Sequence, residues 1–143
     1  MKYYLAYGMN TNLDSMKRRC PKAISLGSVI LPDHVLKFKG CCDVEYSLGQ
    51  DMECALWSIT DECEMSLDIL EGYPSFYNKK TVYVEVNGDI IQAMIYYMNP
   101  GHQLGIPSQY YLDMVVDGYD DHNMNVSQIE SALEEVMGVQ ECI

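Results

Sequence analysis

Positive charge is scarce in this sequence: nine Lys and Arg stand against 21 Asp and Glu, a formal net charge of −12. No Lys or Arg follows Lys80. Nucleic acids and anionic membranes both require a basic surface, so neither is an expected partner. Long apolar runs are also missing. Stretches such as Val29-Ile30-Leu31 are far too short to span a bilayer. The opening, Met1 to Gly8, lacks the apolar stretch and small-residue cleavage site of a leader, which points to the cytoplasm. No pair of the six cysteines has C-x-x-C spacing, and His34, His102 and His122 are scattered. Neither a metal nor a cofactor is expected. The cysteines read as reduced, mostly buried thiols.

What is present suits a folded protein. The 143 residues have the length of one domain, and no linker, repeat or low-complexity tract divides them, so 1–143 reads as a single unit. Residues 2–7 form an apolar and aromatic strand stopped by Gly8. Asn10, Thr11 or Asn12 caps a helix over 13–19, ended by Pro21. Strands are expected over 24–31 and 34–39, split by Pro32-Asp33, and over 52–59, which holds the only tryptophan, Trp57. Thr60 or Asp61 caps a helix over 62–71. Asp61 and Glu64 have capping-box spacing, and Gly72 occupies the left-handed C-cap position. A hairpin joins 81–86 to 90–97 around Asn87-Gly88-Asp89. Helices over 108–117 and 127–137 start at Ser108 and Ser127. Strands in the middle with helices early and late make an α+β pattern.

Three stretches can carry chemistry. Tyr4-Leu5-Ala6-Tyr7-Gly8-Met9-Asn10-Thr11-Asn12 joins a strand to a helix, where amides converge in a turn that suits a carboxylate or phosphate. An ordinary turn reads the same way. In Leu67-Asp68-Ile69-Leu70-Glu71-Gly72, Glu71 shares a helix face with Leu67, in the last turn. Burial there would raise its pKa and make it a general base near neutrality; full solvation would make it ordinary. In Pro107-Ser108-Gln109-Tyr110-Tyr111, one of the two tyrosines can aim a hydroxyl into a cleft, or both can pack.

In this order the three stretches resemble the γ-glutamylcyclotransferases (AIG2-like proteins). Tyr4 to Asn10 is similar to their F-A-Y-G-S-N opening, and Leu67-Asp68-x-x-Glu71-Gly72 with Tyr77 to their L-D-x-x-E-G…Y segment. Pro107-Ser108-x-x-Tyr111 with Gly118 is similar to their P-S-x-x-Y…G helix. The resemblance implies a small mixed β-barrel flanked by helices, with the site at one mouth. It implies Glu71 as the catalytic proton carrier and Tyr4, Leu5, Ala6, Tyr7, Gly8, Met9, Asn10 and Tyr111 as substrate-binding residues. The implied reaction releases 5-oxoproline from a γ-glutamyl amino acid or peptide, with a γ-glutamylamine or other γ-glutamyl intermediate as the alternative substrate, without cofactor, by attack of the substrate's own α-amine on its γ-carbonyl. A small γ-glutamyl substrate is the implied partner, with a homodimer possible. Met9 replaces the family's usual serine. Tyr73-Pro74 resembles the γ-glutamylamine branch, whereas the Tyr-Gly-Met-Asn loop fits the glutathione-type branch better. A non-catalytic binding protein on the same pocket is the competing class.

Overall fold

The computed structural model describes residues 1–141. Strand β1 (Lys2–Ala6) leads through a 3-10 turn, Met9–Thr11, into α1 (Leu13–Arg19). Strands β2 (Ile24–Lys39) and β3 (Cys41–Ile59), helix α2 (Asp61–Glu71), strands β4 (Tyr77–Val86) and β5 (Asp89–Met98), and helices α3 (Gln109–Asp121) and α4 (Ser127–Glu141) follow. The five strands form one mixed sheet, ordered β2-β3-β1-β5-β4. Strand β1 lies in the middle, antiparallel to β3 and parallel to β5. Its last three residues are buried, as expected of a central strand covered on both faces. The two edges curl toward one another: β2 touches β4, and Lys80 Nζ on β4 lies 3.1 Å from His34 Nε2 on β2. The sheet thus rolls into an α+β barrel-like body, although no described ladder joins β2 to β4.

The expected split of β2 at Pro32-Asp33 is not observed. The strand runs on through a register irregularity between Pro32 and His34, where Asp33 takes φ 61°. A bulge absorbs the misfit, and proline is tolerated because β2 is an edge strand. Strand β3 starts at Cys41 rather than near Met52, because Cys41 to Tyr46 and then Asp51 also pair with β2.

Capping follows side-chain reach. Asn12 accepts from the Ser15 amide at 3.1 Å, Thr60 from Cys63 at 3.1 Å, and Ser108 from Tyr111 at 3.1 Å. The Asp61/Glu64 box does not form; both carboxylates pair instead with Lys2, at 2.8 and 2.6 Å. Ser127 is not a cap either. It is already helical, and its amide donates to Asn125 Oδ1 at 2.9 Å. Gly72 does close α2, with φ 65°.

The expectation of reduced thiols fails for two of the six. Cys20, after α1, and Cys63, in the first turn of α2, are joined as a disulfide, their Cα atoms 5.1 Å apart. Forty-three residues separate them in sequence, so only the docking of α1 beside α2 brings them together. Cys41, Cys42 and Cys54 are free, and Cys142 lies outside the described residues. Among the described residues, no helix is long and apolar enough to cross a membrane, and no group of His, Cys, Asp and Glu could hold a metal ion.

Helix α3 docks where the chain leaves β1. At Gly118 a Cβ would stand 2.1 Å from Thr11 Oγ1 and 2.6 Å from the Asn12 nitrogen, so only glycine allows the approach. One residue on, the fully buried Tyr119 donates its hydroxyl to the Tyr7 carbonyl at 2.7 Å. The loop after β1 is thereby fixed from behind.

Candidate active site

The parts assemble from three directions. The central strand delivers Tyr4 and the turn after it Tyr7, Gly8, Met9 and Asn10; the end of α2 delivers Glu71; the first turn of α3 delivers Tyr111. All seven line one cavity of about 150 Å³. This is well below the ~300–1,000 Å³ of clefts for drug-sized ligands and suits a group of amino-acid size. Leu5 and Ala6, expected at the site, are not brought to it. They are buried in the core beside Leu56 and Ala55 of β3.

Glu71 is partly exposed as a residue because it lines the cavity, yet its carboxyl is enclosed by protein. Loss of water raises its pKa from 4.5 to about 7, while the Arg19 guanidinium draws it down. Its hydrogen-bond partner is Asn10, whose Nδ2 is 3.4 Å from Glu71 Oε1 and 3.0 Å from the Tyr4 hydroxyl. The Asn10 carbonyl accepts from Trp57 Nε1 at 3.1 Å. Asp68, one turn before Glu71, accepts from the Tyr96 hydroxyl at 2.6 Å and from Lys79 at 3.0 Å. These contacts clamp α2 against β4 and β5 and so fix where Glu71 emerges.

The opposite wall is built around Cys42. Its amide donates to the Tyr111 hydroxyl at 3.0 Å, and its carbonyl accepts from Tyr77 at 2.6 Å. The Tyr111 hydroxyl also meets the Cys42 side chain, so the amide and the side chain of Cys42 both hold it against this wall. Tyr110, its neighbour, is exposed. Gly8 closes the floor: a Cβ there would lie 3.0 Å from both Cys42 Cβ and the Tyr111 oxygen. Among the described residues, no turn or cap bond uses the Gly8, Met9 or Asn10 amides as donors.

Burial pushes the other acids of the cavity upward. The Tyr4, Tyr7, Tyr77 and Tyr111 hydroxyls all rise, and the Cys42 thiol moves to about 12. Each stays protonated near neutral pH, which leaves Glu71 as the lining group that exchanges a proton there. A carboxyl whose pKa lies near neutrality thus lines the same amino-acid-sized space as the Gly8–Asn10 turn.

Sequence reasoning missed Cys41, Cys42, Leu70, Phe76, Tyr77 and Tyr96 as lining residues, Tyr77 entering only as part of the motif around the glutamate. Leu70 and Phe76 flank the recognised glutamate and tyrosine and were within reach of it. Cys41, Cys42 and Tyr96 come from strands whose ends meet the site only through sheet curvature, and carry no local signal.

Solved structures confirm the architecture. A γ-glutamyl cyclotransferase superposes with a TM-score of 0.81 at 20% identity, covering 99% of each chain. An uncharacterized protein from Homo sapiens gives 0.79 at 23% identity, over 92% of this chain and 85% of that one. An AIG2-like protein from Mus musculus gives 0.59 at 17% identity, over 78% and 82%. At such identities the likeness establishes the fold alone. No curated protein matches significantly in sequence. The family model described as "Gamma-glutamyl cyclotransferase, AIG2-like" matches residues 4–113, most of the chain and all three of its motifs up to Tyr111. The chain belongs to the AIG2-like γ-glutamyl cyclotransferase family.

Proposed function

We propose that this protein releases 5-oxoproline from a γ-glutamyl compound. The substrate's α-nitrogen attacks its γ-carbonyl carbon, a C–N bond closes the five-membered lactam, and the bond to the leaving nitrogen breaks. Holding both groups in one molecule already supplies a high effective concentration, so the protein's tasks are to fold the substrate and move protons. Glu71, ionised, takes a proton from the α-ammonium and then gives it to the departing nitrogen. Developing oxyanion charge is met by amides of the Gly8–Asn10 turn and by the Tyr111 hydroxyl. The reading is carried by one observation: a carboxyl brought to about 7 by burial stands on the same small cavity as that turn.

The leaving group has a preferred chemistry. Among the described lining residues there is no Lys or Arg to receive a second carboxylate, and Met9, Leu70 and Phe76 add apolar surface. This favours a γ-glutamylamine over a γ-glutamyl amino acid or glutathione. The test is incubation with glutathione, γ-glutamyl dipeptides and γ-glutamylamines, with lactam release measured for the parent and for Glu71→Gln. The parent should release 5-oxoproline, fastest from the amines, and the variant should not. Equal release by folded Glu71→Gln would refute the mechanism. Ligand binding without turnover across the panel would instead support a binding protein.

A further inference from the structure

We propose that Arg19 is a positioning residue for Glu71, acting through the Asn10 side chain to fix which face of that amide the carboxylate meets. The inference rests on the proton-carrier role given to Glu71 above. Asn10 is 4% exposed, and its amide has one acceptor oxygen and two N–H donors. Arg19 Nη1 donates to Asn10 Oδ1 at 2.9 Å. Because arginine can only donate, that contact selects one of the two ways round for the amide. The NH₂ end is then forced inward, one hydrogen toward Tyr4 at 3.0 Å and the other toward Glu71 at 3.4 Å. Turned over, the same amide would present its oxygen to the carboxylate, which repels the ionised form.

Arg19 is the inward member of a basic run. It ends α1 and is partly buried, whereas Lys17 and Arg18 are exposed. Among the described residues it forms no ion pair, so its charge reaches Glu71 across the amide rather than by contact. The other ionisable groups facing Glu71 are Tyr4 and Tyr7 from the β1 end, Cys41 and Cys42 from β3, and Tyr77 from β4. Tyr96 of β5 and Tyr111 of α3 complete the wall, and Asp68 on α2 itself is held by Tyr96 and Lys79. All the tyrosines and thiols in this set are shifted upward and neutral, so Arg19 is the cation that acts on Glu71. The Cys20–Cys63 disulfide lies directly after Arg19 and ties its helix to the one that carries Glu71.

The test uses the full chain with Arg19→Met, which removes charge and donor, and Arg19→Lys, which keeps the charge and one donor. The Glu71 carboxyl is titrated directly by carbon-13 NMR with labelled glutamate, assigned by difference from Glu71→Gln, and the pH profile of lactam release is recorded alongside. In Arg19→Met the Glu71 midpoint should rise by about one pH unit, so that release on the acid side falls about tenfold while release above the midpoint stays within about threefold. Arg19→Lys should recover at least half of that displacement. If Arg19→Met does not fold, Arg19→Gln takes its place in the same titration. A midpoint unchanged in a folded, uncharged variant, or the same displacement in the lysine and methionine variants, overturns the proposal. The carboxyl titration reads it even if the parent releases no lactam, which would count against the cyclotransferase reading and not against this one.

Discussion

If Glu71 is desolvated as the cavity implies, ionising it must cost the protein stability, and Glu71→Gln must recover that cost. A carboxyl carried from 4.5 to about 7 on folding corresponds to roughly 3 kcal/mol, at about 1.4 kcal/mol for each pH unit. The cavity admits some solvent, so roughly 2 kcal/mol is the expected size. The sign follows from proton counting. The folded-state pKa is raised, so between 4.5 and about 7 the native protein keeps a proton that the unfolded chain has released. Stability from this group is therefore whole below 4.5, falls as pH rises through that window, and is gone above about 7. The glutamine variant has no proton to lose at this position and shows no such fall. Equilibrium unfolding in guanidinium at about pH 4 and about pH 8 measures both proteins in the same reagent. From the lower pH to the higher, the variant should gain roughly 2 kcal/mol on the parent, about 4–8 °C in melting temperature for a chain this long. An unchanged difference, or one that grows toward acid, would mean that Glu71 is well hydrated and is no base poised near neutrality.

Two further substitutions probe the walls of the site. Gly118→Ala should destabilise by about 2–4 kcal/mol, because its Cβ overlaps Thr11 and Asn12 backbone that cannot move without shifting the turn after β1. A thermal melt within about 0.5 kcal/mol of the parent would contradict that packing. Tyr111→Phe removes the acceptor of the Cys42 amide and should cost about 1–3 kcal/mol along with most substrate turnover, while Tyr110→Phe at its exposed position should change neither. The opposite ranking, in the same melting and lactam assays, would show that the wrong tyrosine has been assigned to the cavity.

Local rules carried the sequence reading far. Asn12, Thr60, Gly72 and Ser108 take the capping positions their chemistry suits, because capping is decided within four residues. Glu71, Gly8 and Tyr111, drawn from three separate stretches, line one cavity. What failed was set by distant neighbours. Lys2 drew Asp61 and Glu64 away from their helix start, an outcome that requires β1 to lie beside α2. The continuity of β2 through Pro32 depends on its place at the sheet edge. The Cys20–Cys63 bond and the Cys42 wall both depend on where separate elements dock. Leu5 and Ala6 stayed out of the cavity because a central strand gives part of its length to the core on either side.

Trp57 gives the molecule an internal reporter. The chain has a single tryptophan, and its indole N–H holds the Asn10 carbonyl on the loop that would receive substrate. Its emission therefore comes from one place, a hydrogen bond away from the Gly8–Asn10 turn, with no competing indole to dilute it. Occupation of the cavity that shifts that turn should alter this fluorescence, so affinity for any candidate compound can be read by titration without a label and without turnover.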